Sequence, residues 1–280
     1  GHFQKKVDSL DDSGLQFPIL ADTPMKIGLA KKSEWVFRNV ANEWVMYDKL
    51  FDWVQTKYPN LKTYHAGIEI DQGHSKATWS KVIKVHADKH GYKQVGEEHW
   101  SMRDTSFSVQ SRKFSQSNAD IIIISAHPPT TCGILKELAL QKITPKILIG
   151  LTSSASPETA LLCTDAAEGI TIPTSFYPAS PLARKVVRQA ALKGGNVDLH
   201  SAAAWENAEI IKRIIQDTGI IGKPETLKED RRKMRDGLAA LKTTKGLLGI
   251  IERTPDGEAM KPYFIVQLKG GEWSVIYNPN

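Results

Sequence analysis

The side chains best suited to chemistry in this chain sit just past short apolar runs. His74 and Ser75 follow the run 63–70, and His127 follows the four isoleucines Ile121 to Ile124. Thr152, Ser153 and Ser154 follow Ile147-Leu148-Ile149, and Phe176 and Tyr177 follow 169–175. Imidazoles and hydroxyls in such places give and take hydrogen bonds, and the aromatic rings offer apolar contact. That chemistry suits holding a small polar molecule without altering it. Plainer roles stay open for each residue. A loop histidine can be a surface or capping group, Ser153 or Ser154 can cap the helix beginning near Pro157, and Phe176 with Tyr177 can simply pack. His86 and His90 are spaced i,i+4 on one helix, as two metal ligands would be. No third ligand is visible, so a solvated helix face is expected there.

Other chemistry is missing. No Gly-rich phosphate loop occurs, and Gly219-Ile220-Ile221-Gly222-Lys223 reads as a helix stop. No serine nucleophile elbow and no His-Glu-x-x-His is present. No catalytic residue, metal site or cofactor is expected, and an enzyme would need an acid–base pair that the sequence does not offer.

The elements that must position these residues alternate. Strands are expected over 63–70, 94–100, 121–124, 146–150 and 169–175. Helices are expected over 77–90, 106–117, 130–140 and 157–167. Strand and helix in strict alternation imply a mostly parallel sheet with helices on both faces. An unbroken run such as Ile121–Ile124 suits a strand buried on both faces. In such sheets ligands bind beyond the carboxyl ends of the strands, where these side chains lie. Upstream, a short helix is expected over 1–14, strands near 16–21 and 35–40, and a helix over 43–57 with Trp44, Tyr47, Leu50, Phe51 and Val54 at helical spacing. Downstream come three helices, 182–193, 199–218 and 224–241. Hairpins close the chain, with turns at Pro255-Asp256-Gly257 and Gly270-Gly271.

At 280 residues, 41% hydrophobic and 24% charged, the composition is that of an ordinary globular protein. No run is long enough to span a membrane, and no signal peptide is visible at the start. The net charge of +6 is dispersed; the densest stretch, 223–245, mixes acids with bases, so no nucleic-acid partner is expected. The two cysteines, Cys132 and Cys163, lack metal-ligand spacing and are expected as buried thiols rather than a disulfide.

Several segments, in order, resemble the leucine/isoleucine/valine-binding group of type I periplasmic solute-binding proteins of ABC transporters. They are Trp35-Val36-Phe37-Arg38, Asp71-Gln72-Gly73-His74-Ser75, Asp104-Thr105-Ser106-Phe107-Ser108, Asn118-Ala119-Asp120-Ile121, Glu168-Gly169-Ile170, Ser180-Pro181, 202–208 and 246–271. Each is weak alone; their order and spacing are specific. The resemblance implies an α/β protein of two Rossmann-like lobes that close on a ligand. It implies a first lobe of 1–59 with 196–245 and a second of 60–195 with 246–280. The first lobe is expected to be incomplete, lacking the N-terminal strands and helices of the family. Ligand binding is carried over to His74, Ser75, His127, Thr152, Ser153, Phe176 and Trp205. Thr152 stands near the acidic residue that amino-acid binders use against an α-ammonium. One neutral hydroxyl does not match a desolvated ammonium, so a small or aromatic carboxylate or an amide is expected ahead of a branched-chain-amino-acid-type ligand, which stays as the second choice. The implied setting is the periplasm and the implied partner is an ABC transporter permease. A ligand-sensing regulatory or receptor domain on the same fold is the alternative.

Overall fold

The computed structural model describes residues 16–22 and 28–278. The helix expected over 1–14 lies outside them. In chain order the principal elements are β1 (Ile19–Ala21), β2 (Val36–Arg38), α1 (Glu43–Lys57), β3 (Thr63–Glu69), α2 (73–89, with a wide π turn at Trp79–Ile83), β4 (Lys93–Trp100), α3 (Ser108–Ser117), β5 (Ile121–Ser125), α4 (Pro128–Leu140), β6 (Ile147–Gly150), α5 (Pro157–Cys163), β7 (Ile170–Thr174), α6 (Pro181–Ala191), α7 (Leu199–Thr218), α8 (Leu227–Ala240), β8 (Thr243–Lys245), β9 (Ile250–Arg253), β10 (Ala259–Met260), β11 (Phe264–Lys269) and β12 (Glu272–Tyr277).

The chain divides into two compact units, residues 1–42 with 178–262 and residues 43–177 with 263–280. The division implied by the resemblance put residues 43–59 with the first lobe and 178–195 and 246–262 with the second. The structure groups α1 with the second unit for a physical reason. Its stripe Tyr47, Leu50, Phe51 and Val54 is buried in one cluster with Tyr64, Ala66 and Ile68 of β3 and Ile121 and Ile123 of β5.

The second unit is a seven-stranded sheet in the order β12-β11-β7-β6-β5-β3-β4. Strands β4, β3, β5, β6 and β7 run parallel, and β11 and β12 add an antiparallel edge. Successive side chains of a strand point to opposite faces. Ile121 and Ile123 therefore join α1 and α2 on one face, while Ile122 and Ile124 join α3, α4 and α5 on the other. All four isoleucines are at most 2% exposed, as expected for a strand covered on both faces. From β3 the chain steps outward to β4, then returns to β5 on the other side of β3. The strand order thus reverses between β3 and β5, and in open α/β sheets ligands bind beyond the carboxyl ends of the strands at such a switch point.

The first unit holds a parallel pair β1–β2, an antiparallel sheet β10-β9-β8, and helices α6, α7 and α8. Phe37 packs with Ile210 and Ile214 of α7 and Leu238 of α8. Asp198 caps α7 and Ser201 completes a capping box. Glu206 accepts from Leu247 N at 2.8 Å and pairs with Lys261, and both side chains of the ion pair are 5% exposed. The expected hairpins form: β9 turns into β10 through Gly257 (φ 77°), and β11 into β12 through Gly270 and Gly271 (φ 57° and 81°).

Two expectations are corrected. Cys132 and Cys163 form a disulfide rather than two thiols. α4 and α5 lie side by side on one face of the sheet, which brings the two Cα atoms to 4.6 Å, within bridging range. His86 and His90 are not on a solvated face. The His86 side chain is 0% exposed and that of His90 6%, because α1 packs over this part of α2.

Candidate functional site

The switch point of the second unit is lined by two histidines, each held by a buried carboxylate. Glu69 ends β3 and is fully buried. One of its oxygens accepts from His127 Nδ1 at 2.6 Å and the other from Thr130 Oγ1 at 2.5 Å. His127 occupies the N-cap position of α4, directly after β5, so chain direction alone brings it across from Glu69. Burial on its own raises the Glu69 pKa. Hydrogen bonds from His127 and Thr130 outweigh burial and hold the carboxyl below its ordinary value.

Glu43, in the first turn of α1, is the second anchor; its side chain is 3% exposed. It accepts from His74 Nε2 at 3.0 Å, from Thr152 Oγ1 at 2.5 Å and from Thr78 Oγ1 at 2.7 Å. Tyr47, one turn on, donates its hydroxyl to Gly150 O at 2.9 Å, at the end of β6. Burial, with the Glu43 charge nearby, pushes the Tyr47 phenol well above its ordinary pKa, so it remains a donor.

The His74 and His127 rings lie 5.7 Å apart, centroid to centroid. Their side chains are 26% and 25% exposed. Each ring spends one nitrogen on its carboxylate. His74 therefore keeps Nδ1, and His127 keeps Nε2, clear of that carboxylate. Ser153 lies on the loop after β6, and its hydroxyl is buried with no hydrogen-bond partner among the described residues.

The other candidates resolve differently. Ser75 is fully buried; its hydroxyl donates to Glu69 O, and its own carbonyl accepts from Ser125 Oγ at 2.9 Å. It fastens the β3 loop to β5 rather than facing solvent. Thr152 is also fully buried and acts through Glu43. Phe176 is 8% exposed and packs, its backbone N donating to Thr174 Oγ1 at 3.3 Å. Ser156, not Ser153 or Ser154, caps α5, accepting from Thr159 N; Ser154 Oγ donates to Ala126 O at 2.9 Å. Trp205 belongs to the first unit, half-buried on α7. Sequence reasoning missed Glu43, Glu69, Thr78 and Thr130. The signal for two of them was present: Glu69 interrupts a buried strand, and Glu43 stands one turn before Tyr47 on the apolar stripe of α1.

A doubly wound sheet whose switch point presents donor and acceptor side chains has the type I periplasmic binding protein fold. A family model described as "Periplasmic binding protein" matches residues 17–272, and the chain belongs to that family, whose members bind solutes and are not enzymes. Among solved structures it is similar to the leucine binding protein LivK of Thermotoga maritima, with a TM-score of 0.81 at 17% identity, covering 98% of this chain and 76% of that one. It is also similar to the branched-chain amino acid transporter substrate binding protein LivJ of Streptococcus pneumoniae, solved with isoleucine, with a TM-score of 0.78 at 16% identity, covering 98% and 75%. An ABC transporter solute binding protein of R. palustris, solved with benzoate, gives 0.80 at 13% identity, covering 97% and 73%. No curated protein sequence matches the chain significantly. Among the described residues, no helix is long and apolar enough to cross a membrane.

Proposed function

We propose that this protein captures a small carboxylate or amide in the periplasm and delivers it to the permease of an ABC transporter. The supporting observation is that both buried carboxylates at the switch point are already engaged. Glu43 accepts three side-chain hydrogen bonds and Glu69 two, and their side chains are 3% and 0% exposed, so both are spent inside the protein rather than offered to an α-ammonium. A solute meets the remaining nitrogens of His74 and His127 instead. As imidazolium these donate to a carboxylate, and as neutral imidazole they accept from an amide N–H. The benzoate held by one structural neighbour has this chemistry; the isoleucine held by another has the ammonium that this rim does not match. The disulfide between Cys132 and Cys163 supports an oxidising, extracytoplasmic setting.

Calorimetric titration with benzoate, benzamide and isoleucine tests the reading. Benzoate or benzamide should bind, and isoleucine should bind weakly or not at all. Tight isoleucine binding, with no response to carboxylates or amides lacking an amino group, rejects the proposed ligand class.

A further inference from the structure

We propose that Asp48 of α1 with His86 and His90 of α2 forms a binding site for a first-row divalent cation, with Zn2+ the best match to the donors. The site is separate from the solute rim and does not depend on it. One candidate ligand atom from each of the three residues lies within 4.8 Å of the other two. His86 Nδ1 is 3.0 Å and His90 Nε2 is 3.9 Å from Asp48 Oδ1. Tetrahedral zinc at about 2.0–2.1 Å from nitrogen places its ligand atoms roughly 3.3 Å apart, so the widest pair must close by about 1.5 Å. Both Asp48 distances are shorter than that widest separation, so the closing movement falls to the two imidazole rings, while Asp48, with a side chain 25% exposed, adjusts to meet them.

The i,i+4 spacing puts the two imidazoles on one face of α2, and the packing of α1 supplies the third ligand that the sequence did not reveal. An independent feature points to a cation. The His86 side chain is fully buried, yet neither ring nitrogen makes a hydrogen bond. Its close approach to Asp48 lacks hydrogen-bond direction. Buried polar atoms are rarely left in that state, and each instance calls for an explanation such as an ion.

His90 adds to the case. Its Nδ1 is 2.8 Å from His86 O, and its Nε2 is 3.0 Å from Asp52 Oδ1. With a metal at Nε2, Nδ1–H donates to the backbone carbonyl, as the second nitrogen of a metal-bound histidine commonly does. Asp52, 47% exposed, stands ready as a fourth oxygen donor or as a partner for bound water. Two lysines compete. Lys89 Nζ lies 2.8 Å from Asp48 and Lys49 Nζ 2.7 Å from Asp52. Both are half-exposed, on flexible stems, and swing to water when the cation enters. The Trp44 ring, 4.2 Å from that of His86 between centroids, shields one side.

The test uses the whole chain stripped of metal with a chelator, titrated with Zn2+ by calorimetry and with Co2+ as a spectroscopic probe. The wild type should bind one Zn2+ and develop a tetrahedral Co2+ visible band. Asp48→Asn and His90→Gln, with unchanged circular dichroism, should each weaken binding by more than about tenfold, while His2→Gln leaves it intact. Absence of binding overturns the proposal. So does binding of equal affinity in Asp48→Asn and His90→Gln, which places the metal elsewhere.

Discussion

Glu69→Gln separates the charge of the buried anchor from its shape. The carboxylate receives hydrogen bonds from His127 and Thr130 while fully buried. A hydrogen bond to a charged group contributes about 1.5–3 kcal/mol, and one between neutral groups about 0.5–1.5. Converting both from charged to neutral therefore costs about 2–3 kcal/mol at neutral pH. The dependence on pH follows from the lowered pKa of Glu69. A carboxyl whose pKa is lower folded than unfolded contributes stability above its unfolded pKa. That contribution is lost as pH falls through the folded pKa. Urea unfolding followed by tryptophan fluorescence should show the variant less stable by about 2–3 kcal/mol near neutrality. The gap should shrink in acid, as the wild-type carboxyl takes up its proton. A gap that stays constant down through the carboxylate range would refute the argument, because packing and not charge would then be responsible.

Removing the disulfide by Cys132→Ala with Cys163→Ala frees a cross-link across 31 residues. Chain-entropy bookkeeping for a loop of that length gives about 3–4 kcal/mol, to be read as a lower urea midpoint, and reductant should destabilise the wild type comparably. In the first unit, Glu206→Leu leaves Lys261 buried without its partner. That should cost about 3–5 kcal/mol, measured by thermal unfolding, and the paired change Glu206→Leu with Lys261→Met should recover most of it.

The alternation of strand and helix was legible because burial dominates it. Ile121–Ile124 can only be a strand covered on both faces, and Glu272–Tyr277 and Leu199–Thr218 begin and end where their turn and capping residues place them. The strand-end rule put His74 and His127 after β3 and β5, and the structure has both there, since their place follows directly from chain direction. It could not tell exposure from burial. Ser75, Thr152 and Phe176 occupy the same loops but are buried, and hydroxyls serving the backbone look, in sequence, like hydroxyls serving a ligand. Glu43 and Glu69 were passed over because acids are assumed exposed, although both stand on apolar periodicities. The disulfide and the Asp48 cluster depend on helix–helix packing. No local spacing encodes that α4 meets α5, or that α1 meets α2.

The consequence for specificity is that α1 controls the rim from behind. Glu43 holds His74 and Thr152, and Tyr47 holds Gly150 O two residues before Thr152. The loop after β6 is thus fixed at two points by one turn of a helix that precedes the whole sheet in sequence. A charge is costly to bury without hydrogen-bond partners, so Glu43 keeps its three donors and the ring of His74 stays aligned. On the proposed reading of the rim, altering the solute preference therefore needs no change in the strand-end loops. A substitution at Glu43 reorients His74 and Thr152 together, and relatives with another residue at that position will present a different pair of groups on the same strands.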